Sequence, residues 1–216
     1  YVELKTVRKS WSDILHVGLP AAATNVIIPL ANGVIIAMVA TFGTAAVAGL
    51  GIAIRIEAFS LIIFYAMSSI IGPFVGQNLG AARYDRITSA LRQSFLFCVA
   101  WGIVLALSIG FFAIPLTRLF TEETAVVQVA TLYLWVVPLS YGMAGIIMIT
   151  NANFNGIGKP IPATVLSVTR MMIVYLPLAY LGKAIWGILG IFIATSLSNL
   201  VVGTAASIWG LSSVRR

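Results

Sequence analysis

Apolar residues along this 216-residue chain come in six long stretches, at roughly 17–39, 48–75, 93–116, 125–150, 163–181 and 185–211, separated by short polar or charged segments. A helix rises about 1.5 Å per residue, so about twenty apolar residues cover a bilayer core about 30 Å thick. Only helices and closed barrels satisfy their backbone polar groups in lipid. Runs of this length lack the alternating period of a barrel strand, which spans roughly ten residues. The pattern predicts an all-α membrane protein of six transmembrane helices within residues 14–216. Residues 1–13 set Val2, Leu4, Val7 and Trp11 among Lys5, Arg8 and Lys9, which predicts an amphipathic segment lying along the interface.

Composition and charge sharpen that picture. Hydrophobic residues make up 60% of the chain and charged residues 9%, where a soluble domain carries about 25% charged residues. A net charge of +7 would suggest nucleic acid in a soluble protein, but here the charge follows topology. Lys5, Arg8, Lys9, Arg83, Arg86, Arg92, Lys159, Arg215 and Arg216 share one side if the spans alternate, leaving Arg118 and Lys183 on the other. Basic loops stay in the cytoplasm, so both termini are expected there, in a bacterial inner membrane. The expected surroundings are membrane lipid, with no nucleic acid.

Little in the chain suggests catalysis. Cys98 is the single cysteine, which excludes an intrachain disulfide and any metal-ligand spacing. His16 is the single histidine and sits at the edge of the first stretch. No His-Glu-x-x-His occurs, and Gly-x-Ser occurs only as Gly210-Leu211-Ser212 at the far end. The chain is therefore read as no enzyme, with no metal and no cofactor.

Charges inside the apolar stretches carry the most information, because they are costly in hydrocarbon and pair or face water. Arg55, Glu57 and Arg170 are such residues, and Glu57 is the one acid deep in any stretch. They form a candidate intramembrane charge cluster. It either locks helices as an ion pair or takes part in substrate or ion coupling. Arg55 and Glu57, two residues apart, point to different helix faces. Pro20 and Pro29 each remove a backbone donor and should bend the first span. Asn25, Asn32, Asn151, Asn153 and Asn199 are neutral polar groups that serve as interhelical hydrogen-bond partners or as ligand contacts. Gly72, Gly76 and Gly80 stack on one face beside Pro73, allowing close packing before the turn at Arg83. Thr121 is placed to cap the fourth helix.

Several segments in the right order resemble the second half of MATE (multidrug and toxic compound extrusion) transporters. They are Gly18-Leu19-Pro20-Ala21, Gly49 through Glu57, Gly72-Pro73-Phe74-Val75-Gly76-Gln77-Asn78-Leu79-Gly80-Ala81, Val137-Pro138-Leu139, Asn155 through Pro160, and Leu176-Pro177-Leu178-Ala179-Tyr180. The resemblance implies one six-helix lobe of a twelve-helix transporter, with 1–13 as the linker between lobes. It further implies export of cationic or amphipathic compounds in exchange for H+ or Na+ by alternating access. Pro20, Asn25, Pro29, Asn32, Tyr65, Asn151 and Asn153 become candidates for the cavity lining. The expected partner is an N-terminal six-helix lobe or, failing that, a second copy of the chain. Stretches 17–39 and 125–150 lack the acid that some branches of the family carry there, so the coupling-ion site falls to the other lobe or to Glu57. A lipid-linked-sugar flippase lobe and a non-transporting membrane scaffold are the alternatives.

Overall fold

The computed structural model describes Trp11, Leu15 and residues 29–214. Apart from Trp11, the interfacial reading of 1–13 falls on residues outside that set, as do the roles given to Pro20 and Asn25. The described chain begins with a short apolar helix, α1 (Pro29–Ala40). It continues through α2 (Thr44–Ser60), α3 (Ile62–Gly80), α4 (Tyr84–Arg118) and α5 (Thr124–Val136). A single 3-10 turn (Val137–Ser140) joins α5 to α6 (Tyr141–Gly156). Then α7 (Pro160–Val168), a π-helical segment (Thr169–Tyr175) and α8 (Leu176–Trp186) form one rod, followed by α9 (Ile188–Ser212). Among the described residues, five helical segments are long and apolar enough to cross a membrane. The chain is an integral membrane protein.

The helices outrun the apolar stretches that announce them. The third stretch ends up inside a helix from Tyr84 to Arg118, whose first turn carries Asp85 and whose last carries Arg118. Those charges match the positive N-terminal and negative C-terminal ends of the helix dipole. Thr121 does not cap the next helix. Its Oγ1 accepts the Glu123 N–H at 3.2 Å, a local turn, and α5 starts at Thr124. Between α2 and α3, Leu61 bends the second span without breaking its ladder: its N–H donates to the Glu57 carbonyl at 2.9 Å and its carbonyl accepts from Tyr65 at 3.1 Å.

The fourth span, from α5 to α6, is the centre of the bundle. Two-thirds of its most apolar window (67%) is buried, against 22–44% for the other four. Small residues explain why. A Cβ on Gly142 would lie 2.8 Å from the Cys98 carbonyl oxygen of α4, and one on Gly145 would lie 2.6 Å from the Phe64 ring of α3. On the facing helix α9, a Cβ on Gly203 would press to 2.7 Å on Met143. Without side chains at these points, three helices reach the same central rod, and dispersion contacts replace the hydrophobic drive that lipid does not supply.

The glycine ladder of the second span does part of what its spacing predicts. Cβ atoms on Gly72 and Gly76 would stand 3.6 and 3.5 Å from the carbonyls of Ala152 and Gly156, whereas Gly80 has nothing within 4 Å. The tighter constraint lies across the interface: a Cβ on Gly156 would sit 2.6 Å from the Gly72 carbonyl oxygen. Pro73 is carried within α3, which continues to Gly80. At the other end, Gly187 turns α8 into α9 at φ 60°, a left-handed conformation that favours glycine. Gly182 and Gly190 then meet backbone to backbone, each occupying the space of the other's Cβ.

This packing makes a direct prediction. A Cβ on Gly102 would lie 2.5 Å from the Gly142 backbone, which cannot move as a side chain can. Gly102→Ala should therefore lose about 1–3 kcal/mol, read as a lower thermal unfolding midpoint in detergent. Gly51→Ala, inside α2 with nothing within 4 Å, should not lower the midpoint and should raise it by up to the helix-propensity gain of about 0.5–1 kcal/mol.

Candidate functional site

Close approach between α2 and α5 places the acid. Gly49, Ala53 and Glu57 recur every four residues and share one face of α2. A Cβ on Gly49 would lie 2.8 Å from the Val126 carbonyl oxygen, so glycine lets the two backbones nearly touch. Two turns further on, the Tyr133 hydroxyl of α5 donates a hydrogen bond to Glu57 Oε2. The Tyr133 ring is held edge-to-face against Phe192 of α9, with centroids 5.0 Å apart at 75°. Tyr141 directs its buried hydroxyl toward the same carboxyl group but makes no hydrogen bond there. A carboxylate only accepts, while the neutral acid can also donate. Glu57 beside phenols thus sits where both forms find partners.

A cation stands across the cavity. Arg170 belongs to the π-helical segment, one residue type of backbone irregularity that recurs at functional sites. Pro177 just beyond lacks the N–H that would bond to the Ile173 carbonyl, which loosens the ladder there. Arg170 Nη1 donates to Asn199 Oδ1 at 3.0 Å, and Asn199 Nδ2 donates to Ser140 Oγ at 3.0 Å. Ser140 Oγ in turn donates to the Val137 carbonyl at 2.8 Å, and Ser196 Oγ donates to the Val136 carbonyl at 3.0 Å. The 3-10 turn at Pro138 is thereby stitched to α9, and α9 holds the arginine.

Glu57 and Arg170 both line one cavity of about 340 Å³ between α1, α2, the fourth and fifth spans and α9. Asn32, Tyr65, Asn151 and Tyr175 add polar groups to its wall, and Met148 and Met171 add adaptable apolar surface. The donor set of one carboxyl, one guanidinium, phenols and amides suits an organic molecule with both polar and apolar parts.

A family profile for MatE matches residues 20–181. The chain belongs to the MatE family. It is 37% identical to the FAD transporter of Shewanella oneidensis over 94% of this chain and 45% of that relative. It is 25% identical to the probable multidrug resistance protein NorM of Thermotoga maritima, over 81% of this chain and 38% of the relative. The bent form of the Vibrio cholerae MATE transporter VcmN superposes with a TM-score of 0.90 at 34% identity, covering 96% of this chain and 48% of that one. The chain thus spans about half the length of the relatives it matches, the extent of one MATE lobe.

Within this MatE lobe, the residues expected to act together separate. Glu57 and Arg170 share the cavity, but Arg55 is exposed and outside its wall. Two residues place Arg55 and Glu57 about 200° apart around a helix of 3.6 residues per turn, so Arg55 is no part of the cluster. Asn32, Tyr65 and Asn151 reach the cavity, whereas Pro29 is exposed at the start of α1 and does not line it. Asn153 is fully buried elsewhere, donating to Ser213 Oγ at 3.1 Å to tie α6 to the end of α9. Its neighbour Asn151, two residues away, therefore points to another face. Tyr133, Ser140 and Asn199 were not singled out as partners of the charges. The spacing Gly49, Ala53, Glu57 was the available signal that a close-packed helix would present a partner to the acid.

Tyr133→Phe removes the donor to Glu57 while preserving the ring against Phe192. It should cost about 1–3 kcal/mol and lower the unfolding midpoint of the purified protein. Arg55→Gln, changing an exposed side chain, should stay within about 0.5 kcal/mol of wild type in the same assay.

Proposed function

We propose that this chain is the C-terminal six-helix lobe of a MATE multidrug efflux antiporter, exporting cationic or amphipathic compounds in exchange for H+ or Na+ by alternating access. The observation that carries the reading is the polar cavity inside the bundle, with the phenol-bonded Glu57 facing Arg170. Charged groups held at membrane depth beside a cavity mark substrate or ion pathways. Rocking of this lobe against an N-terminal six-helix partner would expose the cavity to either side in turn. The basic residues at 83–92, 159 and the two ends support a cytoplasmic side for both termini on this reading. Glu57 is the candidate for ion coupling within this lobe. A second reading, export of a flavin dinucleotide, draws on the 37% identity to the Shewanella FAD transporter.

The test is ethidium efflux from cells producing the chain alone or together with a matching N-terminal lobe. Efflux is expected only on co-production, and Glu57→Gln should reduce it about tenfold or more at unchanged membrane abundance, the size expected when a proton-transfer group is lost. No efflux from the co-produced lobes, with insertion verified, would overturn the drug-export reading. Loss of abundance in Glu57→Gln would instead assign the acid a purely structural part.

A further inference from the structure

We propose that Arg170 is an oxyanion-binding residue of the cavity, taking a phosphate or carboxylate group of an amphipathic ligand, with Asn199 as its positioning residue. The proposal rests on the cavity being the substrate path of the transport reading and narrows the class of compound it accepts.

The guanidinium is only partly used within the protein. Of its five N–H donors, one at Nη1 is directed to Asn199, while buried Nε has no protein partner. Glu57 attracts it through space, yet the hydrogen bond to Glu57 Oε2 comes from Tyr133. The cation is therefore incompletely hydrogen-bonded within the protein, and its side chain lines the cavity. A planar guanidinium with free donors matches two oxygens of one oxyanion, a geometry lysine cannot reproduce.

Orientation is built in from behind. Asn199 is buried and uses both ends of its amide, accepting from Arg170 and donating to Ser140. That leaves one arrangement for the amide and one anchored corner for the guanidinium. On the neighbouring wall, Asn151 donates Nδ2 to Ser167 Oγ at 3.2 Å and keeps a buried Oδ1 without a partner. The ligand that fits thus presents an oxyanion to Arg170, an apolar or aromatic body to Met148, Met171 and Tyr175, and tolerates a donor toward Asn151.

The experiment measures binding to the chain purified together with its N-terminal lobe, without transport. Three probes are used: naphthyl phosphate, its uncharged parent naphthol, and ethidium. Arg170→Gln should weaken naphthyl phosphate at least about tenfold, the size of a lost charge-assisted pair, and leave naphthol and ethidium within about twofold. Arg170→Lys should recover part of the loss, and Asn199→Ala should weaken the phosphate probe with Arg170 still present. Retained naphthol and ethidium binding reports that each variant is folded. If Arg170→Gln does not fold, the wild type decides: inorganic phosphate should compete with naphthyl phosphate and not with naphthol. Equal loss of all probes, no loss of the phosphate probe, its failure to bind the wild type, or no competition by phosphate would each overturn the proposal. Because binding is read without efflux, failure of the transport reading leaves this result interpretable.

Discussion

Hydrocarbon offers no hydrogen bonds, and this lobe is organised around that constraint. At the 3-10 turn around Pro138 in the fourth span, the carbonyls of Val136 and Val137 accept side-chain donors in addition to the bonds of the turn. Ser196 and Ser140 supply them, and Asn199 joins Ser140 to the guanidinium of Arg170. This chain of hydrogen bonds fixes α9 against the central helix and sets the position of a charge in the cavity. The cavity's polarity and the stability of the turn have the same physical origin.

Small residues supply the second half of the arrangement. Gly142, Gly145 and Gly203 bring α3, α4 and α9 onto the central rod, and Gly49 brings α2 onto α5. Helix approach at Gly49 is what lets a long phenol reach Glu57 two turns away. A bundle with larger residues there would hold its helices apart and leave the acid without its donor. The site is therefore a product of packing, and the irregular 3-10 and π segments are linked through Asn199.

Much of the fold was legible because hydrophobic run length maps directly onto bilayer thickness. The resemblance carried by Gly49 through Glu57 and Gly72 through Ala81 led to the same family as the profile match and the superposition on VcmN. The site was legible only one residue at a time. Glu57 and Arg170 stood out as charges within apolar stretches and Asn199 as an interhelical hydrogen-bond candidate, which it is, yet its pairing with Arg170 was not legible and Tyr133 looks like an ordinary member of an apolar helix. Their partners are set by the rotation and depth of one helix against another, which periodicity does not specify. Arg55 and Asn153 show the converse: each is near a cavity residue in sequence and on a different helix face in space. The polar stretch before the third span, Arg83 to Arg86, was legible as a loop and is helical from Tyr84, with Asp85 matching the helix dipole.

The central claim is that Glu57 and Arg170 face a water-accessible cavity, not helix-to-helix or helix-to-lipid contact. Cysteine labelling of the assembled transporter by a charged, membrane-impermeant thiol reagent tests it most directly, in a Cys98→Ala background that removes the one thiol of this chain, with any cysteine of the partner lobe likewise replaced. Asn32→Cys, Tyr65→Cys and Asn151→Cys should react, and a bound amphipathic substrate should slow that reaction. Leu107→Cys and Ile208→Cys, exposed apolar positions outside the cavity, should not react. Labelling of Leu107→Cys and Ile208→Cys with silence at all three cavity positions would contradict the account.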